Sequence, residues 1–158
     1  LEAMSYGMPI ISTPVGGIYD YGQKSYEYLK NLVEKYDLQD DVRFLGNRDD
    51  VPNLLSQSDI FVSASREEGF GLTIVEAMSA KIPVISSDVF GPKEIIKDGT
   101  GLFFENENPK DLAEKIIRLY QDKNLRENLV DRAYEYAKEF DMKNMYEKYL
   151  TEYKEIMK

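Results

Sequence analysis

The chain has 158 residues, with 20 Lys and Arg against 29 Asp and Glu, a formal net charge of −9, a hydrophobic content of 42%, and no Cys, His or Trp. This is the composition of a globular protein, and the length suits one domain of about 100–200 residues. Without Cys or His these residues hold no disulfide, thiolate–zinc site, cysteine nucleophile or imidazole base, and the acidic balance disfavours nucleic acid and anionic membrane surfaces as partners.

No apolar run approaches the ~20 residues of a membrane-spanning helix. The opening Leu1-Glu2-Ala3-Met4 lacks the basic character of a secretory leader. The expected location is therefore cytoplasmic, and a beginning at Leu rather than Met suits a piece of a longer chain.

In chain order, Met8–Thr13 reads as a strand ending in Pro14-Val15-Gly16-Gly17. From Tyr21 to Tyr36, the residues Tyr28, Leu29, Leu32, Val33 and Tyr36 recur at helical spacing. Val42–Leu45 reads as a strand stopped by Gly46. Asp50 is expected to cap a short helix over Val51–Gln57. Asp59–Ser63 is the next strand, followed by Gly69-Phe70-Gly71 and a helix over Leu72–Ala80. Pro83–Ser86 and Gly101–Phe104 are two further strands, separated by a short helix over Pro92–Lys97. Asn108-Pro109 opens a strong helix, with Asn as cap and Pro at the first helical position. The remainder to Lys158 is helical, with bends expected near Asp122 and Phe140-Asp141.

Strands spaced by helices imply a parallel α/β sheet. Ile60–Val62 and Val84–Ile85 are apolar without alternation, as in strands covered on both faces. There is also an internal repeat: Glu2–Asp20 resembles Glu76–Glu94 at a constant offset of 74, pairing Pro9 with Pro83, Ile11 with Ile85, Ser12 with Ser86 and Gly17 with Gly91. Residues 1–20 read as a duplicated or spliced copy of the later helix–strand element, residues 21–140 as the core, and residues 141–158 as a C-terminal helix, all within a single domain. In that last helix Met142, Met145, Tyr146, Tyr149 and Tyr153 form a stripe expected to pack on the sheet. An exposed stripe would instead favour self-association.

Chemistry concentrates between Ser65 and Met78. A strand delivers the chain to a Gly-x-Gly turn that opens a helix. The first turn of a helix presents N–H groups without intrahelical partners and a partial positive charge, and glycines let a ligand approach the backbone. The result is an anion site suited to phosphate. Taken alone, Gly69-Phe70-Gly71 equally describes a tight strand–helix connection. Glu68 and Glu76 bracket the turn. They suit the hydroxyls of two sugars flanking a diphosphate, or else a dipole-favoured carboxylate and a solvated one.

Glu68 to Glu76 resembles the Glu-x7-Glu motif of the retaining glycosyltransferases of GT-B type, glycosyltransferase family four. The resemblance extends through Asp41–Gly46, Ser58–Val62, Glu68–Leu72, Val75–Met78, Pro83–Ile85, Gly91–Ile96 and Gly99–Leu102. It implies the C-terminal, nucleotide-sugar-binding half of such an enzyme. Glu68 would sit by the donor sugar, as the residue closest to catalysis. Glu76 would accept hydrogen bonds from the ribose. The backbone of Gly69, Phe70, Gly71, Leu72 and Thr73 would face the diphosphate and sugar, and Gly46, Asn47 and Arg48 would lie near the base. No metal or cofactor is expected beyond the nucleotide-diphosphate sugar itself, and Asp49-Asp50 is read as a helix cap. Lys93 and Lys97 could approach a phosphate or simply be solvated.

These residues match neither the family's N-terminal acceptor domain nor the first strand of its C-terminal domain, which carries an Arg and a Lys for the diphosphate. Sugar transfer by these residues alone is therefore not expected. The remaining alternatives are a non-catalytic nucleotide-sugar-binding module or a recombined structural domain. The resemblance implies a Rossmann-like three-layer sandwich. With Pro9–Thr13 as a strand, five strands would run in the flavodoxin-like order 2-1-3-4-5, with the ligand between Pro14–Gly17 and Ser65–Gly71.

Overall fold

A computed structural model describes residues 19–46 and 48–157, with side chains from residue 26 onward. The expected strand Pro9–Thr13, its repeat partner role and Asn47 lie outside the described residues.

The described elements are α1 (Tyr19–Lys35), α2 (Val51–Ser56), β1 (Phe61–Ser63), α3 (Leu72–Ser79), β2 (Val84–Ser87), α4 (Phe90–Ile95), β3 (Leu102–Phe104), α5 (Pro109–Gln121), α6 (Lys123–Ala137), a 3-10 turn (Lys138–Phe140) and α7 (Met142–Ile156). The three strands form one parallel sheet in the order β1-β2-β3. Val62 stands opposite Ile85, and Ile85 opposite Leu102. Every residue of β2 is buried, as the unbroken apolar run Pro83–Ile85 anticipates for a central strand covered on both faces.

Successive side chains of a strand point to opposite faces, and the core divides accordingly. Phe61 and Val84 join Ile74, Ala77, Met78 and Ile95 on one face, together with Ala133 and Ala137 of α6. Ile60, Ile85 and Phe104 join Ile116, Leu119 and Leu129 on the other. Helices therefore cover both faces of the sheet. Asn108 caps α5 by accepting hydrogen bonds from the amides of Lys110 and Asp111. Asp122 ends α5 and caps α6, its Oδ1 accepting from the Leu125 amide at 2.9 Å. Asp141 likewise caps α7 through the Lys143 amide. Both expected bends are thus present, each marked by an aspartate.

Among the described residues no strand lies beside Val42–Leu45, and the strand expected to pair there, Pro9–Thr13, is outside them. Phe44 packs edge-on against Tyr26 of α1, with ring centroids 5.2 Å apart. Three expectations need correction. Asp50 precedes α2 as expected but makes no side-chain cap, because Arg48 takes both of its carboxylate oxygens. The helix expected from Pro92 begins two residues earlier, at Phe90, with extended Val89 before it. Finally, α7 buries none of its residues: Met142 is 79% exposed and Tyr146 62%. Its amphipathic stripe is real, but it does not pack on the sheet.

Candidate functional site

The site is built at the carboxyl ends of β1 and β2, the edge where open parallel sheets place ligands. β1 ends at Ser63, and the chain runs through residues 64–71 into α3. β2 ends at Ser87, and only Asp88 and Val89 separate it from α4. The two connections therefore lie side by side.

Gly71 precedes α3 with φ 95° and ψ 51°, a left-handed conformation that side chains with a Cβ adopt at a cost. Its carbonyl accepts from the Ile74 amide at 2.9 Å. This closes a tight first turn, and the N–H groups ahead of Ile74 have no intrahelical partner. Ile74, fully buried, anchors that turn in the core. The local sequence explains the geometry: the second glycine supplies the left-handed residue, and Ile74, Ala77 and Met78 supply the buried face of α3.

Glu68 is half-buried, and its Oε2 accepts a long hydrogen bond from the Ser65 hydroxyl (3.4 Å). Glu76 is exposed, one turn beyond the exposed Leu72 on the same side of α3. Thr73 is half-buried. Glu68, Gly69, Phe70, Gly71, Leu72 and Thr73 thus lie at one helix entrance, with Glu76 one turn further along α3. The Phe70 ring is engaged elsewhere: it meets Phe140 edge-on at a centroid distance of 6.0 Å, so its contribution to a ligand would come from the backbone. Arg66, the cation within the loop, is paired with Glu107 at 2.8 Å. Lys93 is paired with Asp88 at 2.7 Å.

Gly46 and Arg48 are not brought to this entrance by any hydrogen bond or ring contact among the described residues. Arg48 grips Asp50 through two bonds of 2.7 Å. This bidentate pair raises the Arg48 pKa and lowers that of Asp50, in each case chiefly through the hydrogen bond to the other. A cavity of about 190 Å3 between α3 and the end of α6 is lined by Val75, Ser79, Tyr134, Ala137, Lys138 and Phe140 among others; none of the expected donor-binding residues lines it. Among the described residues no group of three acidic side chains is arranged to hold a metal ion.

Two contacts at the site escape sequence reading. Gly91, in the first turn of α4, lies so close to the preceding connection that a Cβ on it would collide with the Glu68 carbonyl oxygen and stand 2.8 Å from that of Gly69. The buried Ser87 hydroxyl donates to the Ser65 carbonyl at 2.6 Å. The identity of Gly17 and Gly91 across the repeat is the signal that singles out Gly91. Nothing in the sequence marks Ser87.

Residues 21–136 match the family model described as Glycosyl transferases group 1. The chain is 38% identical over 120 residues to an uncharacterized glycosyltransferase of Methanocaldococcus jannaschii, covering 74% of this chain and 34% of that protein. It is 35% identical over 129 residues to N-acetyl-alpha-D-glucosaminyl L-malate synthase of Bacillus anthracis, covering 80% and 34%. Among solved structures, Anabaena HepE in complex with UDP superposes with a TM-score of 0.81 at 25% identity, over 87% of this chain and 38% of that one. A glycosyltransferase from Rickettsia africae superposes with a TM-score of 0.77 at 34% identity, over 84% and 36%. The chain spans about a third of the length of the curated relatives it matches. Among the described residues no helix is long and apolar enough to cross a membrane.

Proposed function

Since the chain belongs to the group 1 glycosyltransferases, in the GT-B C-terminal domain, we propose that it binds a nucleotide-diphosphate sugar at the Glu68–Glu76 turn and contributes the donor half of a retaining sugar transfer. The observation that carries this reading is the left-handed Gly71 at the entrance of α3, between a half-buried and an exposed carboxylate. In this reading the diphosphate meets the first-turn amides of α3. Those amides stabilise the negative charge that grows on the leaving nucleotide as the glycosidic bond breaks. Glu68 accepts from the sugar hydroxyls and orients the ring. Glu76, one turn further on, accepts from the ribose. Gly46, Asn47 and Arg48 lie toward the base, which requires Arg48 to be shared with Asp50.

A helix entrance alone contributes about 0.3–1 kcal/mol toward an anion, up to ~2 when partly buried. Charge-assisted bonds from Arg or Lys are about twice as strong as neutral ones. The Arg and Lys that the family places on the diphosphate have no match in these residues. Transfer therefore requires those cations and the acceptor domain, whereas binding by the present residues is weak and without chemistry. The exposed face of α7 suits burial against that acceptor domain, with a second copy of the chain as the alternative occupant. Pro9–Thr13, the copy of the segment that includes β2, would add in parallel at the edge of β1 and give Val42–Leu45 a ladder partner, completing the order 2-1-3-4-5. A cytoplasmic location follows from the same reading.

The test is thermal unfolding with nucleotides and nucleotide sugars, UDP and UDP-glucose included, beside Glu76→Ala. Ligand at about 100 times its dissociation constant adds roughly 2.7 kcal/mol, a rise of roughly 5–10 °C for a chain of this size. A rise that Glu76→Ala abolishes supports the site. No rise at millimolar ligand removes it and leaves a structural domain.

A further inference from the structure

We propose that the β2–α4 connection is a positioning device for the Glu68–Thr73 turn, with Gly91 and Ser87 as its two positioning residues. Neither side chain is placed to touch a ligand in the reading above. Both act on the backbone that would.

Residues 64–71 cross from the sheet edge to α3 with Glu67, Gly69 and Phe70 exposed. On the outer side the turn has the Arg66–Glu107 ion pair and the Phe70–Phe140 ring contact, and its own Ser65–Glu68 side-chain bond is long, at 3.4 Å. Two contacts fix it from beneath. At its start, the Ser65 carbonyl receives the hydroxyl of Ser87, a residue with no solvent exposure at the end of the central strand. At its middle, the Glu68 and Gly69 carbonyls rest on Gly91, with no room between for a single methyl group. Gly91 is itself buried and is followed by the fully buried Pro92. The support is therefore rigid: α4 cannot retreat without disturbing the core that Ile95 fills. The absence of a side chain at position 91 sets how deep the Glu68–Gly69 peptide sits, and with it where the Glu68 carboxylate and the α3 entrance face. Gly91 has an ordinary φ, so its requirement is for space rather than for conformation.

The experiment uses the full chain, labelled for amide NMR, in three variants: Gly91→Ala, Ser87→Ala and, as a control of equal or greater destabilisation, Leu129→Ala in the opposite core. In the free protein, Gly91→Ala and Ser87→Ala are expected to shift the amide resonances of residues 65–73 and to speed exchange of the Ile74 amide tenfold or more. That amide is bonded to the Gly71 carbonyl. Leu129→Ala should lower the melting temperature without selectively moving these signals. UDP titrations form the second arm, which rests on the donor-site reading: both turn variants should weaken UDP at least fivefold, and Leu129→Ala should not. Unmoved turn resonances, or an equal effect from Leu129→Ala, overturn the proposal. So does a shifted turn with unchanged UDP affinity. If the unmodified chain binds no UDP, the donor-site reading fails and the amide arm alone decides. If Gly91→Ala does not fold, Ser87→Ala decides.

Discussion

Replacing each glycine of the Gly69-Phe70-Gly71 turn by alanine separates conformation from space. At Gly71 the backbone is left-handed, at φ 95° and ψ 51°, which costs a Cβ-bearing residue roughly 1–2 kcal/mol. A Cβ there would also lie 3.0 Å from Ile74 Cδ1 and 3.6 Å from Glu68 Cγ. Ile74 is fully buried, and turning its terminal methyl off its rotamer adds about 0.5–1.5 kcal/mol. Alanine returns about 0.4–1 kcal/mol by restricting the unfolded chain. The net loss is about 0.5–3 kcal/mol by these terms, or roughly 1–12 °C in melting temperature. At Gly69 φ lies outside the left-handed region and nothing stands within 4 Å of the added Cβ, so Gly69→Ala should stay within about 0.5 kcal/mol of the parent. Urea and thermal unfolding of both variants measure the difference. Equal stability for the two, or a stabilised Gly71→Ala, would refute the left-handed entrance and the site built on it.

Leu119→Ala, which empties a fully buried position of the second core, should cost about 2–5 kcal/mol by urea unfolding. Asn108→Ala, which removes the acceptor of the Lys110 and Asp111 amides, should cost about 1 kcal/mol and lower helicity by circular dichroism. The Asp111 carboxylate accepts from the Glu105 amide at 2.7 Å and is joined by Lys115. Its pKa lies below the ordinary value, chiefly through that backbone bond and next through Lys115. A depressed folded pKa stabilises above the unfolded value of about 3.9 and loses that contribution as pH falls through the folded one. Asp111→Asn should therefore be less stable than the parent at neutral pH. The gap in urea midpoint should close as pH falls below about 4; a gap that widens on acidification would contradict the assignment.

Much of the βαβαβ unit was readable because each part is signalled locally. Apolar runs at Ile60–Val62 and Val84–Ile85 lie in or beside β1 and β2, Asn108-Pro109 opens α5, and Gly71 marks the entrance of α3. The misreadings share a cause: each depended on a neighbour the local sequence does not reveal. Asp50 has the right type and place for a cap, yet Arg48, two residues away, holds it by a stronger charge-assisted pair. The stripe on α7 has helical spacing, which defines a face without saying what covers it. At the site, the carboxylates and glycines could be listed in order along the chain. The supports from Ser87 and Gly91 span roughly 22 residues or more and follow only from the fold.

Asp122 serves two helices at once. Its amide closes α5 on the Arg118 carbonyl, while its carboxylate and carbonyl open α6 on Leu125 and Arg126. Arg126 then reaches back to the Leu119 carbonyl at 2.6 Å. A hinge built from one residue has no slack. An extra residue wound into the start of α6 would rotate everything beyond it by about 100°, turning Ala133 and Ala137 off the face of the sheet they now cover. Grafts that join parts of related chains should therefore keep this corner whole and place their seams elsewhere.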